Sequence, residues 1–291
     1  MEHSTQPTSC PICNEGTLSF VLDCPDHFLS KESFQLYDCN YCKVRITYPQ
    51  PPPEKIFDYY KSEDYVSHSD TKKGLINFAY QQVKSITLRQ KVRLLNKWSP
   101  GKKLLDYGCG TGDFLQFAQA KNYSVSGVEP DDSARQLAAK KSLVVHPLEW
   151  LNSTDRNFQA ITLWHVLEHT YEPIKVLAQL KSKLEADGIL VIAVPNYASL
   201  DAKHYGADWA AYDVPRHLFH FHPDTMKLVA EKLNLNLEAK VGMPFDSFYV
   251  SMLSEGYQNR FSPLGAITGL RSNIQARKTG NFSSMIYILR K

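Results

Sequence analysis

The 291-residue chain has little that would tie it to a bilayer or to a polyanion. Its longest apolar run, GILVIAV at 188–194, falls far short of the roughly 20 residues that a membrane-spanning helix needs. The opening MEHSTQPTSC has no basic flank leading into an apolar core and does not read as a secretory signal. A cytoplasmic location without a membrane partner is the expectation. A formal net charge of +3 is too small to imply a nucleic-acid partner. Internal repeats and low-complexity tracts are absent. So is Gly-Lys-Ser/Thr, which excludes a P-loop. Beyond residue 42 the chain holds a single cysteine, Cys109.

Cysteine is instead concentrated at the start, where five of the six lie in the first 42 residues. Cys10-x-x-Cys13 and Cys39-x-x-Cys42 have the paired spacing of a four-thiolate zinc ribbon. Two such knuckles close a tetrahedron with no open position, so the metal would be structural. The separation of about 25 residues between knuckles exceeds the usual 15–20. A disulfide scaffold is the competing reading, which a reducing compartment disfavours. Cys24, alone between the knuckles, reads as a small buried residue. Residues 1–60 carry four Lys/Arg against eight Asp/Glu, so the head is acidic and the remainder mildly basic. The division expected is a head at 1–50, a linker with N-terminal helices at 51–100 and a main domain at 101–291.

The linker begins with the stiff YPQPPPEK (48–55). Leu75, Phe78, Ala79, Val83, Ile86 and Leu94–Leu95 then recur near helical spacing up to Trp98. Beyond Pro100, strands alternate with helices. KLLDY (103–107), SVSGVEP (124–130), LVVH (143–146), FQAITLW (158–164) and ILVIAVPN (189–196) read as strands. Between them lie helices opened by TGDF, by Asp131–Asp132, and by Pro173 in a helix predicted over 173–188. Regular βα alternation argues for a doubly wound, mostly parallel sheet. Residues 197–223 break the pattern, DTMKLVAEKLN (224–234) resumes a helix, and LEAKVGM (237–243) and SSMIYILRK (283–291) read as strands. The excursions 197–223 and 244–282 are placed to shape a ligand site.

LLDYGCGTGDF (104–114) joins the first strand to its helix. Gly108, Gly110 and Gly112 give G-x-G-x-G, without the third glycine of a dinucleotide fingerprint. Asp113 at the helix entrance is a poor neighbour for a pyrophosphate. A phosphate-free ligand lying close to the backbone fits better, although such a loop also occurs as a plain turn. Glu129 ends the second strand, 17 residues after Gly112, where a carboxylate can accept hydrogen bonds from both ribose hydroxyls. Asp106 is placed to meet a cationic amino group, while Cys109 matters for its size more than for its thiol.

LLDYGCGTGDF, GVEP and ITLWHVLEHTYEP together resemble the class I S-adenosylmethionine-dependent methyltransferases, over about Lys103 to Asn196. The resemblance implies a Rossmann-like seven-stranded sheet with an antiparallel last strand, plus a zinc-ribbon head and a helical cap. It implies that the three glycines line the methionine part of S-adenosylmethionine and that Glu129, followed by Pro130, holds the ribose. By the same likeness Leu148 and Glu149 lie by the adenine, and Trp164 and His165 close the wall. Methyl transfer usually needs a proton removed from the acceptor. Glu168 and His169 are candidates just after the fourth strand, or they simply fix that turn. Resemblance to zinc-headed methyltransferases marks PRHLFHF (215–221) as bordering the acceptor. His217 is the first choice for base and His220 the second, with Arg216 binding an anion or orienting the substrate. The bland alternative is that these histidines pack a loop and cap the next helix; a metal held by His217, His220 and His222 is the least favoured. The expected function is methyl transfer to a small-molecule or carbohydrate acceptor. An RNA methyltransferase with a substrate-gripping ribbon and a non-catalytic adaptor are the alternatives, and the acidic head disfavours nucleic acid.

Overall fold

The computed structural model describes residues 9–60 and 75–291, and in the first long helix it describes side chains only from residue 83 onward. The chain opens with β1 (Leu18–Pro25), β2 (Ser33–Cys39) and β3 (Arg45–Tyr48), followed by α1 (Leu75–Trp98). The alternating part is β4 (Lys103–Tyr107), α2 (Asp113–Gln119), β5 (Ser124–Val128), α3 (Asp132–Ala139), β6 (Val145–His146), α4 (Trp150–Ser153), β7 (Phe158–Trp164), α5 (Pro173–Ser182) and β8 (Leu184–Pro195). Then come α6 (Leu200–Tyr205), β9 (Phe219–His220), α7 (Pro223–Lys232), β10 (Asn236–Gly242), α8 (Pro244–Tyr257), α9 (Gly265–Thr279) and β11 (Ser284–Arg290).

Seven strands form the main sheet in the order β10-β11-β8-β7-β4-β5-β6. β8, β7, β4, β5 and β6 are parallel, and β11 runs antiparallel to both of its neighbours. This is the seven-stranded arrangement, with its antiparallel strand, that the resemblance implies, and its central strands are apolar on both sides because both sides are covered. Leu104, Ala160, Ile189 and Val191 face α1, where they meet Val92 and Leu95. Leu105, Ile161, Leu190 and Ile192 belong to the opposite core. Each such leucine or isoleucine contributes roughly 1.5–3 kcal/mol by burial. Val83 and Ile86, expected on the apolar stripe of α1, are exposed; Leu75, Phe78 and Ala79 lie outside the described side chains. None of the helices among the described residues is long and apolar enough to cross a membrane.

One boundary departs from expectation. The helix predicted over 173–188 stops at Ser182, because Lys183 accepts a bond from Phe158 N (2.8 Å) and Leu184 already pairs with Phe158. The register then shifts before Ala160 pairs with Ile189, with Asp187 at φ +60° in between.

The head is built into the main domain. Its three strands form a second sheet completed by β9, in the order β1-β2-β3-β9, with Arg45 opposite His220 and Ile46 opposite Phe219. Cys10, Ile12, Val44 and Ile46 share one core with Phe219, Met226 and Val229. Over the other end of the domain lie α6, α8 and α9. Asp201 of α6, fully buried, ties that helix to α9 and to the start of β11, accepting from Trp209 Nε1 (2.8 Å), Ser272 Oγ (2.5 Å) and Ser283 Oγ (2.6 Å).

Candidate active site

Strand order reverses at β4, which has β5 on one side and β7 on the other. The crevice beyond the carboxyl ends of these strands is where open α/β sheets take ligands. The glycine loop fills one wall of it. Gly108 has φ +71°, and a Cβ there would lie 2.6 Å from a Val166 methyl; Gly110 has φ +54°, and its Cβ would meet nothing within 4 Å. The first glycine is thus needed for packing against the protein, while the second leaves space at the crevice.

Four of the loop's donors are engaged. Gly108 N and Cys109 N both donate to Val128 O (2.7 and 3.2 Å), Gly112 N donates to Cys109 O (3.0 Å), and Gly110 N donates to Glu129 Oε2 (2.8 Å). A phosphate cradle requires such N–H groups to be free, so this loop does not suit a phosphate. Asp113 bears less on that choice than its position suggested: Lys84 and Lys141 each approach its carboxylate at 2.5 Å. Burial opposes its ionisation, but the Lys141 and Lys84 bonds outweigh that and lower its pKa.

Glu129 is almost fully buried at the end of β5 and also accepts from Asp131 N at 3.0 Å through Oε1. Each oxygen has accepted one backbone bond and retains capacity for another, which fits a pair of ribose hydroxyls. The Pro130 carbonyl is held by Arg135 Nη1 at 2.6 Å. Cys109 packs in the loop, its Sγ 2.7 Å from where a Cβ on Gly127 would lie, so its bulk is the relevant property. Leu148 packs on the edge of the core and Glu149 is exposed beside α4.

At the bottom of the crevice Asp106 is 2% exposed and accepts from Thr162 Oγ1 at 2.5 Å. Burial pushes its pKa up to about 7, against the Thr162 bond and the nearby Lys91 charge. Lys91, from α1, has its own pKa pushed down to about 8 by burial, with Asp106 and Asp246 opposing. Its Nζ lies 4.2 Å from the Trp164 ring centre, and Trp164 Nε1 is buried with no hydrogen-bond partner among the described residues. A cation, a carboxyl group and an orphaned donor at the switch point suit a zwitterionic amino-acid group. Together with the space before Gly110 and the spare capacity of Glu129, they fit S-adenosylmethionine. Sequence reading missed Lys91 and Asp246. Lys91 sits in a helix read only for its apolar stripe, and Asp246 in the 244–282 excursion.

Past Trp164 the chain turns through His165, at φ +57°, whose Nδ1 is 3.4 Å from Glu168 Oε1 and whose Nε2 is 3.2 Å from Asp246 Oδ2. Burial disfavours its charge, but the two carboxylates dominate and raise its pKa to about 9. The fold brings Glu168, His169 and His217 together, with one ligand atom of each within 4.8 Å of the others. His169 Nδ1 lies 2.9 Å from Arg216 O and from Tyr60 Oη, and His217 Nδ1 lies 2.9 Å from Ala211 O. A carbonyl only accepts, so both rings carry the proton on Nδ1 and leave the Nε2 lone pair free. Burial, then the neighbouring His169, pushes the His217 pKa down to about 4.

Other candidates have structural surroundings. His220 is 2% exposed, and its Nε2 is 3.0 Å from Thr47 Oγ1, which itself donates to His217 O (2.6 Å). His222 caps α7 through Asp224 N (3.1 Å). These two residues and His217 are not gathered into a metal cluster. Arg216, expected to bind an anion or orient substrate, is 3% exposed and bonded to Asp213, Asp26 and Tyr59 O, so it is a bolt between head and cap.

In the head, the four knuckle cysteines are buried thiols within 4.8 Å of one another, unpaired as disulfides. The Cys10–Cys42 and Cys13–Cys39 sulfur pairs are 3.6 Å apart, against about 3.8 Å for the edges of a tetrahedron with 2.3 Å zinc–sulfur bonds. Gly16 N (3.2 Å) and Cys42 N (3.4 Å) donate to Cys13 Sγ and Cys39 Sγ. The set fits a structural zinc ion.

Among solved structures, magnesium protoporphyrin IX methyltransferase (ChlM) from Synechocystis PCC 6803, with bound SAH, superposes with a TM-score of 0.56. It is 12% identical, over 82% of this chain and 100% of that one. The cyclopropane synthase MmaA2 from Mycobacterium tuberculosis gives 0.53 at 14% identity, over 84% and 100%. At these identities the likeness is one of fold. In sequence, the ubiquinone biosynthesis O-methyltransferase of Haemophilus ducreyi is 32% identical over 109 residues, 33% of this chain and 46% of that protein. The mitochondrial protein of that name from Schizosaccharomyces pombe is 31% identical over 104 residues, 32% and 38%. The chain spans less than half the length of these relatives. A family model described as a methyltransferase domain matches residues 80–240. That match covers more than half of the chain and takes in the glycine loop and both sides of the switch point, so this chain belongs to the methyltransferase domain family.

Proposed function

We propose that this protein transfers a methyl group from S-adenosylmethionine to an oxygen atom of a small-molecule acceptor. The observation that carries the reading is the loop at the switch point: its Gly108, Cys109, Gly110 and Gly112 N–H groups are bonded within the protein, yet the space before Gly110, the spare lone pairs of Glu129 and the Asp106–Lys91 pair converge there. Glu129 would hold the ribose, Asp106 the ammonium and Lys91 the carboxylate, with Trp164 along the wall. When bound, the cofactor supplies a methyl carbon made electrophilic by its sulfonium. The chain's own residues must hold an acceptor in line and draw off its proton. Glu168, His169 and His217, just beyond the end of β7, are the groups suited to that second task. His220 is left out because its ring nitrogen is engaged with Thr47.

Oxygen is favoured as the acceptor atom by the named function of the sequence relatives. A small acceptor is favoured over RNA because the acidic head packs into the domain: Lys232 Nζ bonds the Ile12 and Cys13 carbonyls at 2.9 Å, and Thr225 Oγ1 bonds Cys42 O at 2.8 Å. Calorimetry with S-adenosylmethionine, followed by transfer of labelled methyl to phenols, sugar nucleotides and RNA, tests both steps. Tight cofactor binding and labelling of a small hydroxylated acceptor are expected. An absence of cofactor binding, or label passing to RNA alone, refutes the proposal.

A further inference from the structure

Glu168 is 1% exposed, and neither of its carboxylate oxygens has a hydrogen-bond partner among the described residues. The nearby His165, at 3.4 Å, brings a compensating charge but no bond at the 2.7–2.9 Å of a charge-assisted pair. The charge is thus offset in part, while the buried oxygens still lack the donors that a buried carboxylate needs. Facing it are two imidazoles, and both are held with the Nε2 lone pair free by Nδ1–H bonds to backbone carbonyls, Arg216 O for His169 and Ala211 O for His217. That is the outer bonding typical of metal-ligating histidines, in which the second ring nitrogen is fixed by a carbonyl or carboxylate. Asp213 is 3.9 Å from His217 Nε2, but its carboxylate is bonded by Arg216 at 2.5 and 3.0 Å.

We propose that Glu168, His169 and His217 form a site for one divalent transition-metal ion, separate from the cysteine ribbon. Two neutral nitrogens and one carboxylate oxygen suit zinc, manganese, iron or cobalt, and leave coordination positions open. The thiolate set is different in kind, since four sulfurs close it. For its role, the assignment rests on the proposed function: Glu168, His169 and His217 would hold the ion, which would lower the pKa of an acceptor hydroxyl as metals do for bound water, so that its proton could leave to solvent.

The test uses the full-length protein with zinc already in the ribbon, titrated with Co2+ and followed by absorption and calorimetry. One equivalent is expected to bind with the spectrum of nitrogen- and oxygen-ligated cobalt and without thiolate charge-transfer bands. Glu168→Gln, which keeps the shape of the side chain, and His169→Asn should each weaken that binding at least tenfold. Cofactor affinity in both variants should remain within about twofold of the parent, which also verifies that they fold. Three results overturn the site: no cobalt beyond the ribbon, cobalt entering only with thiolate bands, or parental cobalt affinity in Glu168→Gln. If cobalt binds as expected but S-adenosylmethionine does not bind the parent, the methyltransferase reading fails while the metal site stands.

Discussion

Gly108 and Gly110 share a backbone conformation but not an environment, so the same substitution at each separates folding from binding. At Gly110, alanine costs only the left-handed conformation, about 1–2 kcal/mol, since nothing lies within 4 Å of the new Cβ. At Gly108 the same penalty applies, and the Cβ also falls 2.6 and 2.7 Å from the two Val166 methyl groups. Overpacking of that kind adds about 1–3 kcal/mol. For a chain of this size 1 kcal/mol corresponds to roughly 2–4 °C in Tm, so Gly108→Ala should melt visibly lower than Gly110→Ala. Binding should rank the other way. The open space at Gly110 is where a ligand approaches the backbone, so its Cβ should cost S-adenosylmethionine affinity at least tenfold while the protein stays folded. Thermal melting and calorimetry on the two variants measure both quantities. Parental cofactor affinity in Gly110→Ala would show that this space is not the cradle.

Two other perturbations probe the crevice and the seam. Asp106 has a pKa raised to about 7 and Lys91 one lowered to about 8; the ionised forms of both are those that pair with an ammonium and a carboxylate. Affinity should therefore peak between these values. It should fall by up to about tenfold per unit below the Asp106 pKa, as binding must first expel a proton, and fall again above that of Lys91. Calorimetry across pH checks this, with Asp106→Asn expected to remove the acid limb; an unchanged acid limb in that variant refutes the assignment. Arg216→Ala should destabilise the fold by about 3–5 kcal/mol, because it strands carboxylates beside a buried cation site; a loss below 1 kcal/mol in chemical denaturation would refute the structural role.

Local chemistry made much of this legible. Strands β4, β5 and β7 were legible as short strand-like stretches in a regular βα alternation. The place of Glu129 beside the glycine loop followed from its spacing to that loop, and the knuckles from two C-x-x-C pairs. What sequence could not supply was partnership across the chain. Lys91 and Asp246 are 155 residues apart, and only the packing of their two helices on the folded domain brings both beside the end of β7. Arg216 looked functional as a cation beside histidines, until the fold supplied Asp26 from the head. The helix predicted to Gly188 failed for a related reason: pairing of Leu184 with Phe158 overrode a favourable helical pattern.

The same long-range pairing explains why the head belongs with this chemistry. A ribbon of so few residues has little core, and one ion on its four thiols would make its knuckles rigid. The knuckles border β2 and β3, and β3 carries the main domain's β9 as its neighbour. Thr47, on β3, donates to His217 O at 2.6 Å, and its backbone N donates to Leu218 O at 3.1 Å. From the other side, Leu218 N donates to Glu168 O at 2.8 Å. The backbone bearing His217 is therefore clamped between the head and the turn that bears Glu168 and His169. The head carries none of these three side chains, yet its third strand sets where one of them stands relative to the other two.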